Sequence, residues 1–322
     1  MNLDWSRRIR LENQNIVFHK KTRSATPRVT IGMPTYRRAH TIRRALSSIA
    51  KQTYRDFVLV ISDNAGTDPE TVKAVQEFVS DLPEVVLVAQ NSNLGALPNI
   101  NCLLAIAETE YFMWLADDDE ITPNYLAELV GLLDRDPSAV TAMGQWISMQ
   151  NPDEGHIRSQ LRPDSQSRLV RLMRFVAGKA DDSAFYGLHR TRCLRRGRFG
   201  GYLPPNRGVL TNWCYLILFD MLMQGRFAYS DNAAWICHNY SDKHYERALG
   251  RGLTDKVKTL LRRINVYAIY VGKTAHAAPW WTPAIVAASV VGLLRDLAAA
   301  TQRLAFTLLP NRFTSKPTTD EQ

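Results

Sequence analysis

The feature that most constrains the fold is a series of short, wholly apolar segments that alternate with helix-like segments in the first half of the chain. The apolar segments are VTIGM at 29–33, FVLVIS at 57–62, VVLVA at 85–89 and YFMWL at 111–115. The intervening segments carry apolar residues at helical spacing. Because strands that are apolar throughout are covered on both faces, the pattern predicts an α/β fold whose mainly parallel sheet has helices on each side.

The second half of the chain loses this rhythm. A polar stretch at 151–167 is typical of a loop, and two helices are predicted near the C-terminus. We therefore divide the chain into an α/β half at 27–150, a more irregular half of the same domain at 151–245, a helical extension at 246–310, and a tail at 311–322 that is expected to be disordered.

Charge and cysteine content narrow the possible partners and the compartment. The net charge of +9 favours polyanionic partners such as nucleotide phosphates or lipid headgroups. Nucleic acid is not expected, since no recognisable binding module is present. The four cysteines are widely spaced, which disfavours a disulfide framework or a zinc site. The N-terminal segment lacks the apolar core of a secretory signal, so a cytoplasmic protein is expected.

One apolar run near the C-terminus has two interpretations. Ala284–Leu294 is apolar and is followed by Arg295, whereas Trp280 and Trp281 precede it. No stretch in the sequence reaches the roughly 20 apolar residues of a spanning helix. The run is therefore expected to form either a packed core helix or an interfacial helix that holds the protein at the inner face of an anionic membrane.

Three adjacent carboxylates, Asp117, Asp118 and Asp119, follow the strand YFMWL directly. Ligands of such sheets bind beyond the carboxyl ends of the strands. Three neighbouring carboxylates repel one another, and oxygen ligands suit Mg²⁺ or Mn²⁺, which also hold phosphate oxygens. The segment predicts a divalent metal site, and a solvated acidic turn before the next helix is the alternative.

Other strands are followed by polar segments that are weaker signals when taken singly. SDNAGTD at 62–68 follows the second strand, PTYRR at 34–38 follows the first, and NSNLGALPN at 91–99 follows the third. Asp, Asn, Gly and Pro form turns in any protein, so each segment alone is explained as a turn.

Taken together, the order and spacing of these segments resemble the family 2 glycosyltransferases of the GT-A fold. The family pattern appears here as VTIGMPTYRR, KQTYRDFVLVISDNAGTD, NLGALPNIN and YFMWLADDDEITPNYL, over about 29–133. The resemblance implies a Rossmann-like GT-A domain that transfers a sugar from a nucleotide diphosphate donor to a hydroxyl. The acceptor is expected to be a glycan or a lipid-linked glycan, in bacterial-type surface polysaccharide synthesis.

The resemblance also implies a set of site residues. Asp63 would contact the base, and Pro34 and Tyr36 would line the nucleotide pocket. The expected nucleotide-binding residues are Pro34, Thr35, Tyr36, Arg38, Asp63, Asn64, Asn93, Gly95, Asn99, Asp117 and Asp118, and the expected metal ligands are Asp117, Asp118, Asp119 and His238. The chain departs from the family at Asn64, at Ala65-Gly66, and at Ala116, where many members have the leading aspartate.

The catalytic base is the least certain of the implied residues. Asn212 falls near the position of the family's acidic residue, and an amide cannot act as a base. Asp220 is the other candidate, although it lies within an apolar helical pattern and could be a structural carboxylate.

Two other functions compete with sugar transfer. A degenerate, non-catalytic homologue that binds nucleotide or glycan is favoured by Asn212 and disfavoured by the intact Asp117–Asp119 cluster. A sugar nucleotidyltransferase would need a glycine-rich phosphate loop after the first strand, and PTYRRAH contains no glycine.

Overall fold

The computed structural model describes residues 14–21, 26–64, 68–178, 181–196, 213–238 and 253–308. The strands within these ranges are β1 Gln14–Lys21, β2 Val29–Thr35, β3 Phe57–Asp63, β4 Glu84–Gln90, β5 Tyr111–Trp114, β6 Glu120–Ile121, β7 Ala139–Asn151, β8 Glu154–Arg158, β9 Leu188–Arg190 and β10 Arg226–His238. The α-helices are α1 Ala39–Ala50, α2 Pro69–Phe78, α3 Ala96–Ile106, α4 Tyr125–Arg135, α5 Arg168–Ala177, α6 Thr191–Arg196, α7 Trp213–Gln224, α8 Leu253–Ala277 and α9 Thr282–Leu308. Two 3₁₀ turns cover Ser183–Tyr186 and Pro279–Trp281.

All ten strands belong to one sheet, which runs in the order β1-β4-β3-β2-β5-β9-β7-β10-β6, with β8 paired to β7. The four strands predicted from the apolar segments form the continuous parallel block β4-β3-β2-β5, as the sequence indicated. Their side chains divide between two buried clusters, one on each face of the sheet. The α/β class and the helical cover on both faces are therefore confirmed.

Strands outside this block make the complete sheet mixed. β1 pairs antiparallel with β4, and β9 joins β5 to β7 through two antiparallel ladders. β7 and β10 are parallel to each other. The sheet therefore extends from the first half of the chain into the second, and the strands of both halves share one hydrogen-bonded framework.

The polar stretch expected to be a loop contains a strand. β8 pairs antiparallel with β7, and the Asn151 side chain accepts a hydrogen bond from the Asp153 amide at 3.1 Å within the connecting turn. Every residue of β8 is exposed, so the strand buries no face. A strand of this kind carries no alternating apolar pattern, which explains why the sequence indicated a loop.

The helix α9 is the longest in the described chain, and it packs along α5 and α8. Arg295 donates a hydrogen bond to the carbonyl of Ala177 at 2.8 Å, and Tyr267 on α8 donates to Asp296 at 3.0 Å. Within the described residues, one span, Pro279–Ala299, has the length and hydropathy of a membrane-crossing helix. Arg295 and Asp296 interrupt the apolar run, as the sequence indicated, and the span reaches this length because the helix continues through both of them.

Candidate active site

The candidate site lies where the order of the sheet reverses. The chain passes from β2 to β3 and β4 on one side and then returns to β5 on the other side of β2. The carboxyl ends of β2, β3 and β5 therefore meet at one edge, and such a switch point is where open α/β sheets bind ligands. Thr35 and Asp63 are register partners at this edge.

Asp117 is held at the switch point by residues that follow β2. Thr35 donates its hydroxyl hydrogen bond to Asp117 Oδ2 at 2.7 Å, and Arg38 Nη1 lies 3.1 Å from Asp117 Oδ1. Burial raises the pKa of the Asp117 carboxyl to about 6, against the lowering effects of Arg38 and Thr35. The structure thus joins the predicted residues Thr35, Arg38 and Asp117 in one cluster.

Asp118 is the most accessible carboxylate of the three. Its side chain is 18% exposed, and Arg38 Nη1 bridges it to Asp117 through a second contact of 3.1 Å. The Asp118 carbonyl accepts a hydrogen bond from Arg44 Nη2 at 2.6 Å. Arg38 and Arg44 therefore fix this segment while the Asp118 side chain reaches the open edge.

Asp119 points the other way, toward β10. It accepts hydrogen bonds from Trp235 Nε1 at 3.1 Å and from the backbone amide of His238 at 3.2 Å, and it also bonds the Cys237 thiol. Within the described part of the chain these bonded donors are all neutral. Burial, followed by the charge of Asp118, raises the pKa of the Asp119 carboxyl to about 8. Among the described residues, no ion pair to this carboxylate offsets the desolvation of its ionised form.

His238 lies beside this cluster at the end of β10. Its Nε2 is 2.7 Å from Glu120 Oε1, and Glu120 in turn lies 3.6 Å from Arg44 Nε. The two-residue strand β6 places Glu120 opposite Ile236 of β10. The structure therefore brings the histidine to the aspartate cluster, where its ring contacts Glu120.

Asp63 ends β3 in a buried position. Its carboxylate accepts a hydrogen bond from the Asp68 amide at 3.2 Å. Burial raises the pKa of this carboxyl, and the amide bond to Asp68 opposes the rise. Pro34 and Tyr36 lie at the same edge, and Tyr36 is 38% exposed with the Arg37 guanidinium 5.2 Å from its ring centroid.

The asparagines of the predicted pocket are bonded largely to one another. Asn64 donates to Asn93 Oδ1 at 3.0 Å and to the Gly95 carbonyl at 3.1 Å, and its own Oδ1 accepts from the Leu94 amide at 2.9 Å. Gly95 has a φ of +86°, which favours glycine, and it directly precedes α3. These contacts fasten the loop after β4 to the end of β3.

Asn99 is buried one turn further on. Its amide donates to the Ser62 carbonyl at 3.1 Å, and its Oδ1 accepts from the Ser62 hydroxyl at 2.6 Å. Gln90 donates to the same hydroxyl at 2.9 Å. Asn99 thus ties α3 to the end of β3.

The two catalytic candidates lie apart from this cluster or outside the described residues. Asp220 is on α7, where its Oδ1 forms an ion pair with Lys273 of α8, and both side chains are mostly buried. Burial raises the pKa of Asp220, and Lys273 lowers it. This geometry is that of a structural pair between two helices. Asn212 lies outside the described residues.

Residues 189–196 form an arginine-dense stretch that begins in β9. Two of its arginine side chains donate hydrogen bonds to backbone carbonyls. Arg190 is buried and donates to the carbonyls of Ala139 and Leu133 at 2.8 and 2.6 Å. Arg195 donates to the carbonyl of Ala107. A cavity of about 450 Å³ is lined by Arg190 and by Ser138 and Val140 at the start of β7. It lies away from the aspartate cluster, none of whose residues line it. The contacts give Arg190 and Arg195 a structural role.

Several site residues were not found from the sequence. Glu120, Arg44, Trp235 and Cys237 all contribute to the aspartate cluster. Glu120 directly follows the three aspartates and could have been included with them. The others come from helix α1 and from β10, and only the tertiary pairing of β6 with β10 brings the latter strand to the site.

Comparison with known proteins identifies the family. Residues 30–195 match glycosyl transferase family 2, which is slightly more than half of the chain. The chain therefore belongs to glycosyl transferase family 2.

Two curated relatives match shorter segments. The chain is 32% identical over 101 residues to the putative colanic acid biosynthesis glycosyl transferase WcaA of Escherichia coli, covering 31% of this chain and 36% of that protein. It is 30% identical over 105 residues to the GalNAc(5)-diNAcBac-PP-undecaprenol beta-1,3-glucosyltransferase of Campylobacter jejuni, covering 32% and 34%. The chain thus spans about a third of the length of each of these relatives.

A solved structure supports the fold over almost the whole chain. The mannosyltransferase PcManGT of Pyrobaculum calidifontis, in complex with GDP-Man and Mn²⁺, aligns with a TM-score of 0.52 at 19% identity. The alignment covers 95% of this chain and 87% of that one. This likeness establishes a shared GT-A architecture.

Proposed function

We propose that this protein transfers a sugar from a nucleoside diphosphate sugar to a hydroxyl of a glycan or lipid-linked glycan, with Mn²⁺ or Mg²⁺ bound beside the donor diphosphate. The proposal is carried by one observation. Asp117, Asp118 and Asp119 follow β5 at the switch point of the sheet, beside Thr35 at the end of β2. Family membership supports the same reaction class.

The donor side of the pocket is assigned to the ends of β2, β3 and β5. Asp63 is assigned to the base, where a carboxylate accepts a hydrogen bond from a ring N–H, and the exposed ring of Tyr36 offers a surface for stacking. Asp117 is assigned to the ribose, because Thr35 and Arg38 hold its carboxylate in place. Asn64, Asn93, Gly95 and Asn99 keep the wall of this pocket rigid.

The aspartate cluster fits a divalent cation in its chemistry. Asp119 is a buried carboxylate to which the described residues supply only neutral donors, and Asp118 presents a second carboxylate at the open edge. No group of three or more His, Cys, Asp and Glu side chains in the described ranges is arranged to hold an ion. The proposal therefore has Mg²⁺ or Mn²⁺ held by one or two carboxylates together with substrate phosphates, as is usual for Mg²⁺ beside phosphate groups.

Asp118 and Asp119 would therefore hold the cation. Asp117 would support them through Arg38, which contacts both Asp117 and Asp118, and His238 would support them through Glu120. When bound, the cation neutralises charge on the diphosphate leaving group. The protein's own part is to orient the donor: Arg38 fixes Asp117 and Asp118 relative to each other, and Trp235 fixes Asp119.

The test of this proposal is a calorimetric screen of nucleoside diphosphates and their sugars, with Mn²⁺ and with excess chelator. We expect at least one nucleotide to bind with an affinity that falls at least tenfold when the metal is removed. The matching donor should be consumed when acceptor glycans are supplied. Equal affinity with and without metal would contradict the assignment of the aspartate cluster.

The assignment of Asp63 makes a separate prediction. Asp63→Ala should weaken binding of the donor and of the free nucleoside diphosphate alike, by about tenfold, because one hydrogen bond to a charged group contributes about 1.4 kcal/mol. Glu70→Ala, an exposed change on α2, is the control. A variant that altered only the Michaelis constant of the acceptor would show that Asp63 does not contact the nucleotide.

We further propose that α9 holds the protein against an anionic membrane surface, where a lipid-linked acceptor resides. One side of the helix is buried at Ile285 and Ala288. The opposite side exposes the large apolar side chains of Val286, Val290, Val291, Leu294 and Leu297. Trp280, in the 3₁₀ turn just before the helix, is 74% exposed. A helix that packs on its own domain along one face and is apolar along the other suits an interfacial position.

Vesicle flotation tests this arrangement. The protein should float with vesicles of anionic phospholipid, and less in high salt, since the net charge of +9 contributes an attraction that salt screens. The double variant Val291→Ser/Leu294→Ser should float several-fold less. Ile157→Ser, at an equally exposed apolar residue of β8, should float like the parent protein. Equal flotation of all three proteins would exclude α9 as the contact surface.

A further inference from the structure

The cavity of about 450 Å³ at the start of β7 and β10 is strongly basic, and we call it the arginine cavity. A neighbouring cavity of about 310 Å³ has Glu108 and Glu110 beside its arginines. The arginine cavity has no aspartate or glutamate among its described lining residues. Its volume lies in the range of small-molecule sites. The arginines that line it are Arg171, Arg190, Arg192, Arg196 and Arg226.

Two of these arginines are buried in the fold. Arg171 is 6% exposed and Arg190 is 8% exposed. Arg171 donates from Nε to the Leu222 carbonyl at 2.7 Å and from Nη1 to the Gln166 carbonyl at 3.0 Å, and Arg190 is likewise bonded to backbone carbonyls. Neither guanidinium forms an ion pair within the described ranges. A buried charge without a counter-ion is costly, so this arrangement favours an anion in the cavity.

Arg171 keeps one donor group available for a ligand. Its Nε and Nη1 are used by backbone carbonyls, and its Nη2 makes no hydrogen bond with the described residues. Burial, followed by the charge of Arg168, lowers the pKa of Arg171 to about 10. A bound anion would offset this effect, because an opposite charge favours the ionised form. The backbone therefore fixes this guanidinium in place without completing its hydrogen bonds.

The other three arginines differ in how far their charges are paired. Arg226 forms an ion pair with Asp136, and its Nε donates to the Ser138 hydroxyl at 3.3 Å. Arg192 and Arg196 are exposed, four positions apart on α6, and make no hydrogen bond or ion pair with the part of the chain that the structure describes. Four of the five arginines in the cavity therefore have no carboxylate partner among the described residues.

The arginine cavity is far from the aspartate cluster. β7 and β10 are parallel, with Ala139 opposite Arg226 at one end of their ladder and Met149 opposite His238 at the other. Arg226 lines the cavity, whereas His238 lies beside the aspartate cluster. At about 3.3 Å per residue, the two ends of the ladder are roughly 30 Å apart. A donor diphosphate bound at the aspartate cluster would not reach the arginine cavity.

We propose that the arginine cavity is a second ligand site, which binds a phosphate or diphosphate group separately from the nucleotide site. Arg171 Nη2 and the side chains of Arg192 and Arg196 donate hydrogen bonds to the phosphate oxygens. The guanidinium fork matches phosphate geometry, and such charge-assisted hydrogen bonds are strong. A phosphate carries more than one negative charge, so it suits several unpaired arginines better than a single carboxylate does.

Two sources share this phosphate chemistry: a soluble phosphorylated molecule and the headgroup of an anionic lipid. Helix α5 carries Arg171 into the cavity wall, and Arg168, one turn earlier on the same helix, lies 5.0 Å from the Trp281 ring centroid. Trp281 belongs to the turn that precedes α9, where Trp280 is exposed. The helix that lines the cavity therefore also contacts the segment proposed to face the membrane, and the experiment has one arm for each source.

The first arm is titration calorimetry with inorganic pyrophosphate in excess chelator, so that no cation holds the probe at the aspartate cluster. The parent protein should bind it, and Arg192→Ser/Arg196→Ser should bind it at least tenfold more weakly. Lys51→Ser/Arg158→Ser removes the same charge from exposed positions outside the cavity and should stay within twofold of the parent. Asp119→Asn should also bind pyrophosphate like the parent, because the two sites are separate.

The second arm is flotation with vesicles that contain phosphatidic acid. If a lipid headgroup is the source, Arg192→Ser/Arg196→Ser should float several-fold less than Lys51→Ser/Arg158→Ser. If the source is soluble, the two double variants should float alike and differ only in pyrophosphate affinity. Equal behaviour of the two double variants in both measurements would overturn the inference. Neither measurement uses a sugar donor, so the result does not depend on the proposed sugar transfer.

Discussion

Two buried carboxylates, Asp119 at the sheet edge and Asp220 between α7 and α8, are stabilised in opposite ways. Asp220 forms an ion pair with Lys273, and this pair is complete within the protein. Asp119 is bonded by the Trp235 indole, the Cys237 thiol and the His238 amide, all of which are neutral. The comparison teaches that a structural carboxylate is supplied with its counter-ion by the fold. For Asp119 the described residues supply neutral donors and no ion pair, which is what we expect of a carboxylate that binds a ligand cation.

The largest expected effect concerns Asp119. Asp119→Asn should lower turnover by about 100-fold or more, because the cation proposed to neutralise the leaving diphosphate would lose a carboxylate ligand. In the absence of metal its melting temperature should stay close to that of the parent, because removing a charge that burial disfavours offsets an amide NH2 that faces an N–H donor. Turnover assays and thermal denaturation measure the two effects.

Asp153→Asn, an exposed change in the turn between β7 and β8, is the control for Asp119→Asn and should alter neither turnover nor melting temperature. Should Asp119→Asn lose several degrees of stability while keeping its turnover, Asp119 would be a structural residue like Asp220, and the comparison would fail.

A smaller effect is expected at the helix pair. Lys273→Met should lower the free energy of unfolding by about 3 kcal/mol, because it leaves the buried Asp220 carboxylate without its partner. The double variant Asp220→Leu/Lys273→Met should regain most of that loss. Urea denaturation measures stability, and turnover per folded molecule should stay within about twofold of the parent.

A loss of turnover per folded molecule in Lys273→Met, at conditions where the variant is fully folded, would return Asp220 to the list of catalytic candidates. The double variant Asp220→Leu/Lys273→Met separates catalysis from stability, because it lacks the Asp220 carboxylate and should be nearly as stable as the parent. Its turnover therefore reports on the carboxylate and not on folding.

The smallest effect concerns His189, a buried ionisable group that the fold keeps neutral. Its ring nitrogens contact Thr141 at 2.9 Å and the Phe185 carbonyl at 3.0 Å. Burial lowers its pKa from 6.5 to about 4. The unfolded chain therefore binds a proton first as the pH falls, and the free energy of unfolding should decrease by about 2 kcal/mol between pH 7 and pH 5.

Comparison with His189→Gln isolates this contribution, because Asp117 and Asp119 have raised pKa values and contribute with the opposite sign. The difference in unfolding free energy between the two proteins should shrink as the pH falls from 7 to 5. A difference that stays constant over this range would show that His189 is protonated alike in the folded and unfolded chains.

The sequence predicted the strands that are buried on both faces of the sheet. β2, β3, β4 and β5 are covered on both faces, so their apolar runs stand out, and the structure places them within one or two residues of the predicted bounds. Because parallel strands bring their carboxyl ends to one edge, the strand assignment placed the segments after β2, β3 and β5 at the same edge, whereas the adjacency of β2 and β5 came from the structure.

Other parts depend on long-range pairing and left little local signal. β1 pairs with β4 at the edge of the sheet, and β8 is exposed along its whole length. The bonds from Trp235 and His238 to Asp119 require β10 to lie beside β6. The bridging position of Arg38 between Asp117 and Asp118 is a property of side-chain geometry, on which sequence spacing gives no information.

The pairing of β6 with β10 has a consequence for the protein during its synthesis. Asp119 and the His238 amide that it bonds are separated by 119 positions in the chain. The parallel block β4-β3-β2-β5 is translated long before β10, and contacts between distant segments form late and slowly. On the ribosome, a nascent chain that has completed its nucleotide-side strands still holds Asp119 without the indole and amide donors that orient it. The proposed cation site would thus reach its final form only after β10 has been made.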